Sequence, residues 1–263
     1  MRNQKKRTPA GDRNGDRNSD RNGERRFNSP AVIDLNNFRE KEETKPSKYK
    51  RVEITPRNLR QEDYLAYLEN PKKDMVFALG PAGTGKTLIA TLWAVKQLKA
   101  GQVDRIVVTR PAVSVDEQHG FLPGTLEQKM APWTRPIMDV LRDYWNVKQI
   151  EGMLIEGVIE IAPLAYMRGR TFKNSIIIGD ELQNSTVSQM KMLLTRIGEG
   201  SKMVITGDLN QHDRGFEVNG LGDFIDRLTS DPSSRMALVK FDRQHVERHP
   251  AVSEVLRIYG DDE

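Results

Sequence analysis

Gly80-Pro81-Ala82-Gly83-Thr84-Gly85-Lys86-Thr87 is the stretch on which the reading of this chain turns. Its pattern is glycine, four residues, then Gly-Lys-Thr. Glycines let backbone N–H groups turn inward around phosphate oxygens, and the positive end of a following helix adds to the attraction. In such a loop the lysine, Lys86, reaches the β- and γ-phosphates, and the Thr87 hydroxyl takes a Mg²⁺ position. At average residue frequencies the bare pattern arises in roughly 1% of chains this long. The flanks lower that chance further. Met75-Val76-Phe77-Ala78-Leu79 is a short apolar run that predicts a buried strand. Leu88, Leu92, Val95 and Leu98 follow at helical spacing, closed by Gly101. Strand, loop and helix in that order predict a nucleoside-triphosphate site, with Gly80 to Thr87 as its binding residues.

A chain of 263 residues holds one large domain or two small ones. The N-terminus belongs to neither. Asp12-Arg13-Asn14-Gly15, Asp16-Arg17-Asn18-Ser19 and Asp20-Arg21-Asn22-Gly23 are near-copies, with almost nothing apolar around them. Burial there cannot offset the cost of ordering a backbone, so residues 1–46 are expected to be a disordered, basic, low-complexity tail, ending near Pro46. Residues 1–30 carry nine Lys/Arg against four Asp/Glu, while the whole chain is +4, so the rest is close to neutral. The basic balance belongs to the tail. Sequence-independent contact with nucleic-acid phosphates is one reading of it, and a solubilising tail without a ligand is the other. The chain has no cysteine, which excludes disulfides, thiolate zinc sites and cysteine nucleophiles. Its four histidines, His119, His212, His245 and His249, form no metal-ligand pattern of their own. Neither a secretory signal nor a membrane-length apolar run is present, so the expectation is a soluble, cytoplasmic protein.

Downstream of the tail, residues 47–263 alternate strand-like and helix-like segments. Strands are predicted at 75–79, 105–109, 157–161, 175–179, 203–206 and 236–240. Helices are predicted at 59–69, 86–99, 125–145, 186–197, 220–229 and 250–259, with Pro132 and Pro136 bending the third. Several strands are solid β-branched runs without alternation, as parallel strands covered on both faces are. The sum is a three-layer α/β domain with a mostly parallel sheet, of the RecA-like P-loop NTPase kind.

Ile176-Ile177-Ile178-Gly179-Asp180-Glu181 is an apolar strand ending in two acids, about ninety residues beyond the loop. That order assigns Asp180 to Mg²⁺, held through water, and Glu181 to polarising the attacking water, the arrangement of an ATPase. Gln183 is expected to order this turn. Val204-Ile205-Thr206-Gly207-Asp208-Leu209-Asn210-Gln211 is a third signal, a strand that delivers polar groups to the ligand-binding edge of such a sheet, with Gln211 or Asn210 sensing the γ-phosphate. Upstream, Asn58 and Gln61 precede the loop at a spacing that suits adenine recognition; the alternative is an ordinary helix start capped by Asn58.

Taken together, these blocks resemble the PhoH family of ATPases, itself similar to the first domain of superfamily-one helicases. The resemblance runs from about residue 51 to the end. It includes Thr109-Arg110-Pro111-Ala112-Val113, Gly120-Phe121-Leu122-Pro123-Gly124, Ala162 through Thr171, the Asp-Glu strand, Thr206-Gly207-Asp208 and Arg248-His249-Pro250. Two positions depart from the family pattern. Gly179 stands where an apolar residue is usual, and Leu182 replaces a small residue after Glu181. Larger family members add a PIN nuclease domain, which nothing in this sequence would encode. The resemblance implies ATP hydrolysis with Mg²⁺, work on RNA or single-stranded nucleic acid, and a homo-oligomeric, often hexameric, ring. A single domain of this kind needs an arginine from a neighbour to complete its site, and Arg248 is the first candidate, followed by Arg168 and Arg170. A salt bridge within the domain is the other reading of each. Arg110 and Phe121 occupy places where helicase relatives contact the nucleic-acid strand, although Phe121 also suits a plain core position. An ATP-dependent assembly or regulatory module acting on a protein partner is the alternative function.

Overall fold

Aliphatic runs that are buried from end to end set the architecture. β1 (Met75–Leu79) and β4 (Ser175–Gly179) are covered at every position. With β2 (Arg105–Arg110), β3 (Ile159–Pro163), β5 (Lys202–Gly207) and β6 (Met236–Lys240) they form a six-stranded sheet in the order β3-β2-β4-β5-β1-β6. All five pairings are parallel. The edge strands β3 and β6 are the more exposed ones, as expected where one side lacks a neighbour. The structure, a computed structural model, describes residues 51–111, 135–211, 218–247 and 250–259. The tail over 1–46, residues 125–134 with Pro132, Phe121 and Arg248 lie outside the described residues.

Alternation along each strand sends side chains into two cores. Val76, Ala78, Ile106, Val108, Ile176, Ile178 and Val204 face one side. There they meet α1 (Leu59–Glu69), α2 (Lys86–Lys99), a helical stretch α3 over 135–142, and α4 (Val147–Ile155). Phe77, Val107, Ile177, Met203 and Ile205 face the other side, against α5 (Val187–Leu194) and α6 (Gly220–Ser230). A last helix, α7, spans Pro250–Tyr259. Each fully buried aliphatic side chain contributes on the order of 1.5–3 kcal/mol, so the isoleucine run of β4 anchors both layers at once. The three-layer expectation therefore holds, with a sheet that is parallel throughout.

Two local expectations need correction. α4 was not predicted. Asn146 and Gln149 cap its start reciprocally, each side chain serving the other's backbone N–H. The strand expected at 157–161 lies two residues later, because Gly157 takes a left-handed φ of 70° to turn the chain out of α4.

A parallel sheet gathers the C-terminal ends of all its strands on one edge, and ligands bind there. β1 delivers the phosphate loop to that edge, β4 the acids, β5 the segment from Thr206 to Asp208, and β2 Arg110. Since β5 lies between β1 and β4, its end sits between the loop and the acids.

Candidate active site

Gly80 opens the loop at φ 141°, and a side chain there would fall 2.4 Å from the Phe241 carbonyl. Only glycine fits, because the residue after β6 packs directly on the turn. Gly83 and Gly85 also take left-handed φ values, of 85° and 82°. Gly85 is the N-cap of α2, so the helix begins at Lys86 with its first N–H groups facing the loop. The Lys86 ammonium donates to the carbonyls of Gly80 (2.6 Å) and Pro81 (2.7 Å) and lies 3.3 Å from the Thr84 hydroxyl. Burial lowers its pKa below the usual lysine value, against the opposing pull of Asp208, Glu181 and Asp180. A cation so held, ringed by carbonyls it has only borrowed, suits a polyanion that would return the lost solvation.

Asp180 is the point where three elements meet. Its Oδ1 accepts from the Thr87 hydroxyl of α2 at 2.7 Å and from the Thr206 hydroxyl of β5 at 2.6 Å. The Asp180 N–H is held by the Thr109 carbonyl of β2. One carboxylate and two hydroxyls form a hard oxygen set. Among the described residues no group of three or more His, Cys, Asp or Glu could cage a metal ion. This donor set fits Mg²⁺ as it is bound beside nucleotides, by one or two protein oxygens with phosphate and water completing the shell. Thr87 and Asp180 are the residues that would hold it.

Glu181 follows with a left-handed backbone, φ 53° and ψ 40°, unusual for a residue with a side chain. Such strain costs on the order of 1–3 kcal/mol and is kept where neighbours over-determine it. Here they do. Gln183, 1% exposed, donates to Glu181 Oε2 at 2.6 Å while its carbonyl accepts from the Asp208 N–H at 3.1 Å. The glutamine expected to order this turn thus links it to β5. On the opposite side Arg110 Nη2 lies 3.8 Å from Glu181 Oε1. Beyond Asp208 the chain turns, and Gln211 is exposed on it, its backbone N–H bonded to the Asp208 carbonyl.

Gln61, the residue of which an adenine contact is expected, lines the cleft beside the loop. It is 4% exposed; its Nε2 donates to the Thr84 carbonyl at 3.1 Å and its Oε1 accepts from the Arg57 N–H. It braces the phosphate loop. Asn58 caps α1, accepting from the Gln61 N–H, and its amide reaches Glu247. What borders the loop on that side is a cleft of about 440 Å³, with Ile54, Leu88 and Leu92 as an apolar wall and Thr55 and Arg57 at its edge. Leu88 is half exposed there. Arg170 is also committed within the domain. It pairs through both guanidinium nitrogens with Glu160 and lies over the Phe172 ring at 4.6 Å. Arg168 is exposed.

A parallel sheet with a glycine-rich phosphate loop after β1, and an Asp-Glu pair on a strand one removed from it, defines a P-loop NTPase domain of RecA-like architecture. The family model described as "PhoH-like protein" matches residues 53–260. The chain belongs to the PhoH family. It is 43% identical over 221 residues to a PhoH-like protein of Bacillus subtilis (strain 168), covering 84% of this chain and 67% of that one. It is 42% identical over 211 residues to Protein PhoH of Escherichia coli (strain K12), covering 79% and 58%. Among solved structures it is similar to the DUF1998 helicase MrfA bound to DNA, at 12% identity and a TM-score of 0.42, over 77% of this chain and 30% of that one. The chain thus spans roughly three-fifths to two-thirds of the length of the curated relatives it matches. Among the described residues, no helix is long and apolar enough to cross a membrane.

Proposed function

We propose that this protein is a Mg²⁺-dependent ATPase that couples hydrolysis to binding or remodelling RNA or single-stranded nucleic acid, as a homo-oligomeric ring. The observation that carries the hydrolytic half is the meeting of Thr87, Thr206 and Asp180 at one carboxylate oxygen, with Glu181 next in the chain. The loop N–H groups and Lys86 would grip the phosphates. Bound Mg²⁺ would neutralise charge between the phosphates when held by Thr87 and Asp180. Glu181 accepts a proton from the attacking water, and Gln211, on the turn after β5, is the candidate γ-phosphate sensor. The apolar wall of Ile54, Leu88 and Leu92 suits an adenine face, with Gln61 of the same cleft and Asn58 as the polar candidates.

Glu181→Gln and Lys86→Ala test this together. Glu181→Gln removes the base and leaves the phosphate grip, so it should retain ATP binding while turnover falls by about 10²–10⁴. Lys86→Ala removes a charge-assisted contact, so ATP affinity itself should fall by about 10- to 100-fold. Nucleotide binding measured by fluorescence, beside phosphate release, separates the two. Wild-type turnover in Glu181→Gln would sink the assignment.

Nucleic acid is supported by the edge beside the site. Arg110 pairs in register with Pro163, and three residues on Tyr166 is 57% exposed, with exposed Arg168 following. A cation and an open aromatic face are what a single strand needs, phosphate contact and base stacking. The protein-partner reading draws on α7, whose Val252, Val255, Ile258 and Tyr259 are all exposed. ATPase rates with and without single-stranded RNA distinguish them, since only the first reading expects stimulation.

A further inference from the structure

Glu181 is held from two directions. Gln183 occupies one carboxylate oxygen and ties it to the Asp208 turn after β5. Arg110 lies on the other oxygen, from the end of β2, on the side where Pro163 and Tyr166 follow. The Arg110 side chain is 29% exposed, so an outside anion can reach it without unfolding anything. Its cation and the base thus share one ion pair at the boundary between two surfaces.

Building on the nucleic-acid reading of function, we infer that Arg110 restrains Glu181 and that a phosphate of single-stranded nucleic acid releases it. Paired with Arg110, the Glu181 carboxylate is drawn toward β2. A backbone phosphate offers the guanidinium a bidentate partner of higher charge. Once Arg110 turns to that phosphate, Glu181 keeps its Gln183 contact and is no longer drawn toward β2. Arg110 is therefore a positioning residue, acting on water through Glu181, and the strand that it grips sets the hydrolysis rate.

The test is steady-state ATPase of the full chain, wild type against Arg110→Ala, without and with a single-stranded oligo(U) RNA. An ion pair of this exposure bears on the barrier by enough to change kcat about two- to fivefold. Without RNA, Arg110→Ala should turn over faster than wild type by that factor, with KM for ATP unchanged, and RNA should add nothing further. Arg110→Lys keeps a cation in place and should return the basal rate toward wild type; Arg110→Met preserves the packed stem and serves if the alanine protein does not fold. A basal rate in Arg110→Ala equal to or below wild type overturns the restraint, as does an Arg110→Lys rate as high as that of Arg110→Ala. A faster Arg110→Ala beside a wild type indifferent to RNA keeps the restraint and overturns nucleic acid as its release. Absence of turnover in both proteins sinks the hydrolytic reading, and this inference with it.

Discussion

Gly179 and Leu182, on either side of the two acids, compete for one space. A Cβ built on Gly179 would lie 2.9 Å from Leu182 Cδ2 and 2.9 Å from Ile205 Cδ1. Leu182 is fully buried and its side chain fills the space that a larger residue at 179 would claim. The acids lie between the two positions, at the end of β4. Gly179→Ala should overpack this point and cost about 1–3 kcal/mol, while Leu182→Ala should open a cavity and cost about 2–5 kcal/mol. Combined, they should cost at least about 1 kcal/mol less than the sum, because each relieves the other. Urea unfolding of the three variants measures this, and strict additivity would show that the two sites do not share space. Arg170 teaches the converse at the same scale. It is a residue type that reads as a ligand contact, and its guanidinium pairs inside the domain with Glu160.

Elements were legible where their signals were local and strong. α1 matches its expected bounds of 59–69, and β1, β4 and β6 match theirs. α4 escaped because Gly152 and the β-branched Val147, Ile150 and Ile155 weaken its helical propensity, although the Asn146–Gln149 cap is visible in the sequence. The connection from β3 to β4 holds a second lesson. It passes through a single-turn helix, Leu164–Met167, and Arg170 ties it back to Glu160 of β3. Hydrogen bonding from Arg170 holds the Glu160 carboxyl below its ordinary range. A depressed carboxylate pKa adds stability that is complete above its unfolded value and fades as pH falls through the folded one. Glu160→Gln should therefore be less stable than wild type at neutral pH by on the order of 1 kcal/mol, since both partners are partly solvated. The gap should close on acidification below about pH 4.5, the ordinary carboxylate range. Thermal melts from pH 7 to 3 would show it, and a gap that persists at pH 3 would assign the loss to packing.

At the scale of the molecule, one RecA-like domain carries the loop, the acids and the candidate sensor, and the ring proposal takes an arginine from a neighbouring copy. The ring proposal places Arg248 of one subunit at the site of the next. Arg248→Ala should then bind ATP almost normally and hydrolyse it about 10³-fold more slowly or worse. Mixing it with Lys86→Ala should restore part of the activity, because an intact pocket from one variant meets an intact arginine from the other. An arginine acting inside its own subunit allows no such rescue. Mixed oligomers confirmed by mass that stay inactive at every ratio would count against a shared site.

Phosphate grip and acid pair were readable from the chain because each is short and chemically constrained: glycines where backbone must face anions, a lysine and a threonine opening a helix, two acids closing an apolar strand. The solid isoleucine run likewise announced a strand covered on both faces. What the sequence could not contain is which side chains spend their hydrogen bonds on one another. Asp180 is ninety-three residues from Thr87 and twenty-six from Thr206, yet one of its oxygens receives both hydroxyls. Glu181 meets Arg110 only because β2 and β4 are neighbours, in a strand order that no local pattern specifies. Local signals fix the conformation of a few residues at a time, whereas contacts across the sheet follow from how the strands are ordered, and that is decided by packing two hydrophobic cores at once.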